Sequence, residues 1–326
     1  LKHFSLDPDR KDLIPVLKSI LKLNPDIKIM ASPWSAPVWM KDNRKSVGGS
    51  LLPEYYGVYA KYMVRYISDM KAEGIPIDAL TIQNEPLYGG NNPSMVMQAD
   101  AQRDFISKHL GPAFKTAGIK TKIVLYDHNC DRPDYATSIL SDPEAAQYVD
   151  GSAFHLYGGE ITALTTVHDA YPAKNVYFTE QWVGGPSKFA EDMRWYVENI
   201  IVGAPRNWSK NVIEWNLASD PTYNPHTPGG CTQCEGLITI GGNASVTRNV
   251  AYYTIAHASK FVPMGSVRIA SNTLTNLPNV AYKTPDAKIV LIVLNTSKQS
   301  QVFEIGFGGK SAQATLPAGA VATYTW

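Results

Sequence analysis

Two glutamates stand out because each ends a short apolar run. Glu85 lies in ALTIQNEP (79–86), and Glu180 ends NVYFTE (175–180). Cleaving a glycosidic bond requires a proton donor for the leaving oxygen and a carboxylate on the opposite face of the sugar, and retaining enzymes hold these groups about 5–5.5 Å apart. Two strands of one closed barrel could bring the two glutamates together for that chemistry.

The residues beside Glu85 fit the same interpretation. The amide of Asn84 could bond the 2-hydroxyl of a sugar, an interaction that strengthens in the transition state. Pro86 lacks a backbone donor and helps to end the strand. A proton donor must hold its proton near neutral pH, so we expect burial and a charged neighbour to raise the pKa of Glu85 toward ~6.

Other strand ends carry further candidates. His155 and Tyr157 in AFHLYGG alternate onto one strand face. His155 is either a buried, hydrogen-bonded histidine or a residue that orients Glu180 or contacts sugar. Asp127 in LYDHN leaves similar alternatives open. Glu214 in NVIEWNL could be a structural ion-pair partner and is left outside the candidate site.

Aromatic residues near polar ones form another group, since a ring can stack on the apolar face of a sugar while the sugar rim stays polar. Core packing is the alternative for any single ring. The rings that we count as substrate-binding candidates are those of Trp34, Trp182 and Trp215.

Six β-rich runs each lead into a helical pattern, which predicts right-handed βαβ units with a parallel sheet. The runs are 26–32, 77–83, 121–127, 151–157, 175–180 and 211–217. The expected helices cover 53–74, 98–117, 133–141, 161–170, 187–202 and 248–262. The first of them has apolar residues at three- to four-residue spacing, and Gly74 is expected to end it. The candidate residues fall at the carboxyl ends of the strands, where the active sites of (β/α)8 barrels assemble.

The pattern changes after about residue 266, where short alternating strands follow each other without helices. We therefore expect an α/β fold: a (β/α)8-type TIM barrel in residues 1–262 and an antiparallel β-sandwich-like side domain in residues 263–326. Only six barrel strands are found, so the barrel is incomplete in this chain, and the missing pair is expected before Leu1.

The composition excludes several classes of function. The formal net charge is +1 and the basic residues are scattered, so no strong field favours nucleic acid. No apolar run approaches the ~20 residues of a membrane span. No nucleotide-binding glycine loop, nucleophile elbow or metalloprotease motif occurs. Cys231 and Cys234 in GGCTQCEG predict a small loop disulfide or two free thiols rather than a metal site, and we expect no metal and no cofactor.

Several segments, in order along nearly the whole chain, resemble glycoside hydrolase family 30, which includes lysosomal glucosylceramidase and microbial endo-β-1,6-glucanases. These segments are IKIMASPWSAPVWMKDN, GGSLLPEYYGVYAKYMVRYI, ALTIQNEP, GSAFHLYGG, VYFTEQW, VIEWNLASDP and YYTIAHASKFVPMGSVRI. The resemblance implies a barrel with a side β domain and a retaining mechanism. It also implies that Glu85 is the general acid/base and Glu180 the nucleophile.

The resemblance further implies that five residues line the −1 sugar pocket: Trp34, Asn84, His155, Tyr157 and Trp215. TEQWVGG and the cysteine-containing loop look more like the β-1,6-glucanase branch than the glucosylceramidase branch. Family members carry two earlier barrel strands that have no counterpart here. This leaves three explanations: a fragment, a partner chain that covers the gap, or a loss of activity.

The expected function is hydrolysis of a β-linked glucan or glucoside, foremost as an endo-β-1,6-glucanase. Alternatives are a glucosylceramidase or β-glucosidase of the same family, and an inactive carbohydrate-binding pseudo-enzyme. Open strand edges could pair between subunits, so a homo-oligomer is a further expectation. We expect a secreted or periplasmic location, with no signal segment within this chain.

Overall fold

A computed structural model describes residues 1–326, which form two units, Leu1–Tyr177 and Phe178–Trp326. The boundary falls inside one strand, so that strand contributes residues to both units. None of the helices combines the length and the apolar character that crossing a membrane requires.

The first unit alternates strands and helices. Its strands are β1 (Met30–Ala31), β2 (Ala79–Thr81), β3 (Lys122–Cys130), β4 (Val149–Gly159) and the first half of β5 (Asn175–Glu180). Its helices are α1 (Asp7–Lys11), α2 (Leu13–Leu23), α3 (Tyr56–Ala72), α4 (Ala99–Phe105), α5 (Gly111–Ala117), α6 (Pro133–Leu140), α7 (Pro143–Ala146) and α8 (Ala163–Ala170). A π-helical turn, Ile106–Leu110, joins α4 to α5.

The strands β1 to β4 pair in parallel in chain order. Side chains alternate between the two faces of a sheet, and here both faces are buried. Leu80, Leu125 and Phe154 belong to the large cluster that packs with the helices. Ala79 and Val124 belong to a smaller cluster on the opposite face. Burial on both faces explains why these strands are nearly continuous apolar runs.

Helix α3 illustrates how the sequence pattern becomes structure. Its buried side chains recur at three- to four-residue spacing and end with Met70. Gly74 follows the helix with φ +83°, a left-handed conformation that glycine adopts without a side-chain clash, and its N–H donates to Lys71 O at 2.9 Å. The predicted helix and its glycine stop are confirmed.

The second unit begins with the end of β5 and continues with short strands. These are β6 (Val183–Gly184), β7 (Ser209–Val212), β8 (Ala218–Ser219), β9 (Cys234–Glu235), β10 (Ile238–Ile240), β11 (Val246–Arg248), β12 (Val267–Ile269), β13 (Asn279–Lys283), β14 (Ile289–Leu294), β15 (Gln301–Phe307), β16 (Lys310–Leu316) and β17 (Val321–Thr325). Its helices are α9 (Phe189–Tyr196), α10 (Gly203–Arg206) and α11 (Val250–Ser259), with a π-helical segment at Val197–Val202.

The strand order of the large sheet is β1-β2-β3-β4-β5-β7, so it contains the six strands expected from the sequence. The last of them is displaced: β7 ends at Val212, and residues 213–217, which we expected to be strand, lie outside it. The C-terminal residues form an antiparallel sheet, β12-β13-β14-β17, and the hairpin β15-β16, as predicted. Cys231 and Cys234 form a disulfide, one of the two states left open.

Glu214, two residues beyond β7, carries a buried carboxyl oxygen, Oε2, that has no hydrogen-bond partner. Its other oxygen, Oε1, accepts from the hydroxyl of Thr254 at 3.2 Å, and the same hydroxyl also donates to Ala251 O at 2.8 Å. The single hydroxyl hydrogen is shared between the two oxygens, so it compensates the buried carboxyl group only weakly, and the uncharged form of that group is favoured. Burial raises the pKa of Glu214 to about 8. The interpretation of Glu214 as an ion-pair partner is therefore wrong.

Glu214→Gln should make stability less dependent on pH. The Glu214 carboxyl has a pKa near 8 in the folded chain and about 4.3 in the unfolded chain. The free energy of unfolding therefore falls as the pH rises between these two values, because only the unfolded chain releases the proton. The wild-type free energy of unfolding should therefore fall more steeply from pH 5 to pH 8 than that of the variant, by on the order of 2–4 kcal/mol. Urea unfolding at a series of pH values measures both slopes.

The matched control is Glu304→Gln, which changes an exposed glutamate on β15 and should follow the wild-type slope. Identical slopes for wild type and Glu214→Gln would contradict the assignment of a protonated Glu214.

Candidate active site

The backbone at the end of β2 turns so that Glu85 points into the protein. Glu85 adopts φ +46° and is 8% exposed. Its N–H donates to Asp127 O at 2.9 Å, and its carbonyl accepts from Tyr88 N at 2.9 Å. Asn84, also buried, donates its N–H to Pro33 O. A left-handed glutamate costs about 1 kcal/mol or more, so these contacts hold a conformation that the chain alone would not adopt.

A bulge in β3 presents Asp127. Tyr126 and Asp127 adopt φ +71° and +72°, and the pairing with β4 shifts register between Tyr126 and His128. The N–H of Tyr126 donates to Oε1 of Gln102, which reaches in from α4. Bulges commonly redirect a side chain next to a functional site. Gln102 thus accepts a hydrogen bond from the buried N–H of Tyr126 at the point where the pairing between β3 and β4 is interrupted.

Glu85, His155 and Asp127 form one buried network. His155 lies with Nδ1 3.3 Å from Glu85 Oε1 and with Nε2 3.0 Å from Asp127 Oδ1. The other oxygen of Asp127 accepts from Ser32 at 2.7 Å, and Ser32 accepts from Thr81. The structure thus brings together three of the residues that the sequence analysis selected.

The network has two proton arrangements. Carboxylates only accept, so an imidazolium form of His155 would donate to both Glu85 and Asp127. A neutral His155 would instead donate from Nε2 to Asp127 and accept at Nδ1 from a protonated Glu85. The same geometry therefore accommodates Glu85 as an acid and as a base.

Asn91 holds the second oxygen of Glu85, since its Nδ2 donates to Oε2. Burial is the largest single effect on the pKa of Glu85 and raises it. The hydrogen bond and charge of His155, the charge of His128 and the bond from Asn91 together outweigh burial, so the pKa of Glu85 lies below its ordinary value. The expectation of a raised pKa is wrong because it counted burial without these donors.

Two further candidates, Tyr157 and Trp34, lie in the first unit. Tyr157 is 39% exposed, and its ring centroid lies 6.1 Å from that of His155. Its N–H donates to Asn129 Oδ1 at 3.2 Å. The carbonyl of Trp34 accepts from Gln83 Nε2 at 2.7 Å, which ties the segment after β1 to the end of β2. Tyr157 therefore offers an exposed ring beside a buried histidine.

The remaining candidates lie in the second unit. Glu180 is the last residue of β5 and is partly exposed. Trp182 and Trp215 form an isolated parallel bridge, and Trp215 N donates to Gln181 O at 2.9 Å. Trp182 O accepts from the hydroxyl of Tyr196. The structure brings the two tryptophans together through backbone contacts just beyond Glu180.

Sequence reasoning missed Asn91, Gln102 and Ser32. Asn91 lies in a loop six residues after Glu85, where neither helical nor strand spacing predicts contact. Gln102 sits in α4 among ordinary helix residues. Ser32 ends the first predicted strand, and its position at a strand end beside Asp127 was the one signal that could have identified it.

Comparisons with known proteins agree with this architecture. The model described as Glycosyl hydrolase family 30 TIM-barrel domain matches residues 1–262, and that described as Glycosyl hydrolase family 30 beta sandwich domain matches residues 265–324. The predicted fold class is thereby confirmed, with six barrel strands in this chain.

Individual relatives have similar descriptions. An endo-1,6-beta-D-glucanase of Neurospora crassa is 37% identical over 82% of this chain and 57% of its own length. Lysosomal acid glucosylceramidase of Mus musculus is 31% identical over 100% of this chain and 68% of its own length. A solved structure described as an endo-beta1,6-glucanase has a TM-score of 0.93 and 37% identity, covering 100% of this chain and 77% of that one.

The chain thus spans little more than half the length of the Neurospora relative, and the match to both family models covers nearly all of its own residues. The chain belongs to glycosyl hydrolase family 30.

Proposed function

We propose that the protein is a retaining β-glycoside hydrolase that cleaves β-1,6-linked glucan from within the chain. The observation that carries this proposal is the buried Glu85–His155–Asp127 network, in which a carboxyl group can hold or release a proton at the end of a barrel strand. The similarity to proteins described as endo-1,6-beta-D-glucanases supports the choice of linkage.

In the first step, Glu85 donates its proton to the glycosidic oxygen while the carboxylate of Glu180 attacks the anomeric carbon. The leaving sugar departs, and a covalent glycosyl-enzyme forms. In the second step, Glu85, now a carboxylate, takes a proton from water as that water attacks the same carbon, and Glu180 is released. This mechanism requires the two carboxyl groups to lie about 5–5.5 Å apart.

In this mechanism the charge of Glu180 also affects the pKa of Glu85. A second carboxylate at such a distance raises the pKa of its neighbour, which opposes the donors that lower the pKa of Glu85. When the glycosyl-enzyme forms, the charge of Glu180 is lost and Glu85 becomes a better-stabilised carboxylate. The pKa of Glu85 is therefore higher before the first step than before the second, which is the direction of change that its roles as acid and then as base require.

The sugar is held by the remaining candidates. Asn84 would donate to the 2-hydroxyl, and the exposed ring of Tyr157 and the rings of Trp34, Trp182 and Trp215 would contact apolar sugar faces. For Asp127 the sequence left two alternatives open, a buried hydrogen-bonded residue and a residue that contacts sugar. Because its two carboxylate oxygens hold His155 and Ser32, we assign it to the orientation of His155.

Glucosylceramide is the second candidate substrate, because the similarity to the mouse glucosylceramidase extends over the whole chain. The oligomeric state and the secreted or periplasmic location remain predictions.

Glu85→Gln and Glu180→Gln should each lower the hydrolysis of pustulan, a β-1,6-glucan, by more than about 10³-fold, because each removes the main participant of one step. Reducing-end release, measured against wild type and the surface control Glu304→Gln, tests this. Equal turnover in wild type and in either active-site variant would exclude the assignment. Pustulan binding without hydrolysis by the wild type would instead indicate the pseudo-enzyme.

Hydrolysis should release products with the β anomeric configuration first, since two displacements at one carbon restore the starting geometry. Proton NMR of the anomeric signals in the first minutes of reaction measures this outcome. An initial α product would contradict the role of Glu180 as nucleophile.

Pustulan should be cleaved with a higher kcat/KM than a β-1,3-glucan or glucosylceramide in detergent. The comparison uses one enzyme preparation and quantifies released glucose equivalents. A higher kcat/KM on glucosylceramide would favour the second candidate.

A further inference from the structure

Asn91 touches the catalytic carboxyl without being part of any motif that identified the site. Its Nδ2 donates to Glu85 Oε2, while His155 occupies the side of Oε1. We propose that Asn91 is a positioning residue that fixes the plane of the Glu85 carboxyl group and, through it, the proton donor of the reaction. The inference rests on the proposed function of Glu85 and deepens it.

Hydrogen-bond partners on both oxygens restrict the carboxyl group more than one partner can. With His155 alone, the group could rotate about its last bond and still keep one contact, because rotation about the terminal bond of glutamate is broad and roughly two-fold. With Asn91 on the second oxygen, both oxygens have assigned directions. A proton donor works within a narrow range of geometry, so the second contact is useful to the chemistry.

The loop that carries Asn91 is held in place by an unusual anchor. Lys41 is completely buried, and its ammonium group donates to Ser94 O at 2.7 Å, to Ser35 Oγ at 2.9 Å and to Ser46 O at 3.3 Å. An ammonium group has three hydrogens, and three oxygens receive them. Ser94 lies three residues after Asn91, so the anchor acts close to the contact.

Backbone contacts reinforce this anchor. Ser94 donates its N–H to Ser46 O at 3.0 Å, and its hydroxyl accepts from Gly48 N at 2.9 Å. Val96 donates to Gly49 O, and Met97 donates to Pro86 O, each at 2.8 Å. The loop is therefore fastened at its far end, and Asn91 is presented to Glu85 by an ordered segment.

The groups that act on Glu85 set the direction of the expected change. His155 favours the carboxylate form of Glu85 through its hydrogen bond, both His155 and His128 favour it through their charge when they are protonated, and Asp127 lies beyond His155. In the proposed mechanism the charge of Glu180 favours the protonated form. Asn91 donates a hydrogen bond, which also favours the carboxylate. Removing Asn91 should therefore raise the pKa of Glu85.

Asn91→Ala tests the proposal through the pH profile of pustulan hydrolysis. The alkaline limb of kcat/KM reports the general acid, so it should move to higher pH by about one unit. At the optimum, kcat should fall about tenfold through loss of positioning, while KM changes little because Asn91 acts through Glu85.

Asn91→Asp is a second variant with nearly the same shape. It replaces the hydrogen-bond donor with a carboxylate, so the alkaline limb of kcat/KM should move to higher pH by more than in Asn91→Ala. The control is Gln98→Ala, which removes an exposed amide at the end of the same loop and should keep the wild-type profile. Far-UV circular dichroism and thermal melting show whether each variant is folded.

A measurement without substrate separates this inference from the proposed function. Carbon-13 NMR of labelled glutamate carboxyl groups, with the Glu85 signal assigned from Glu85→Gln, follows its titration directly. A rise in the pKa of Glu85 in folded Asn91→Ala is expected, even if the wild type does not hydrolyse pustulan. An unchanged titration in both Asn91 variants, or an unchanged alkaline limb in an active enzyme, would overturn the role of Asn91.

Discussion

The site depends on a buried network in which the hydrogen-bond acceptors outnumber the hydrogens available to them. Glu85 and Asp127 are buried carboxyl groups that face opposite sides of one imidazole, His155. Neutral imidazole has a single N–H, so the contacts are satisfied together only when an additional proton is present on the ring or on a carboxyl group. The buried surroundings make an unsatisfied contact expensive. The network therefore retains a proton that can move within it, which is the property that acid/base chemistry needs.

The backbone is strained where it supports this network. Glu85, Tyr126 and Asp127 all adopt left-handed conformations, although none is glycine. Each costs about 1 kcal/mol or more, and extensive burial of the strands on both faces provides the stabilisation that offsets this cost. Gln102 satisfies the N–H exposed by the bulge. Such strain is common at functional sites, where geometry matters more than local preference.

The helices and strands could be predicted from the sequence more fully than the tertiary contacts between side chains. The repetition of strand and helix patterns predicted the parallel strands, and the periodic apolar residues of α3 with Gly74 predicted that helix and its end. The last barrel strand was misplaced because NVIEWNL is apolar enough to suggest a strand, whereas Trp215 instead forms an isolated bridge with Trp182. Glu85, Asp127 and His155 were found since strand ends converge in this kind of fold.

Asn91 and Gln102 could not be predicted from the sequence, because they make tertiary contacts that neither helical nor strand spacing indicates. The direction of the shift in the pKa of Glu85 was also predicted wrongly, because it depends on which hydrogen-bond donors surround the carboxyl group. Burial can be inferred from an apolar pattern, but the number of donors around a buried group requires coordinates.

Lys41 has a practical consequence for chemical modification. Its ammonium group is enclosed and committed to three neutral oxygens, so reagents that attack accessible amines would react with surface lysines and spare this one. Attachment of the folded protein to a solid support through its lysines should consequently leave the segment around Ser94 in place. Reagents applied to an unfolded chain would have no such selectivity.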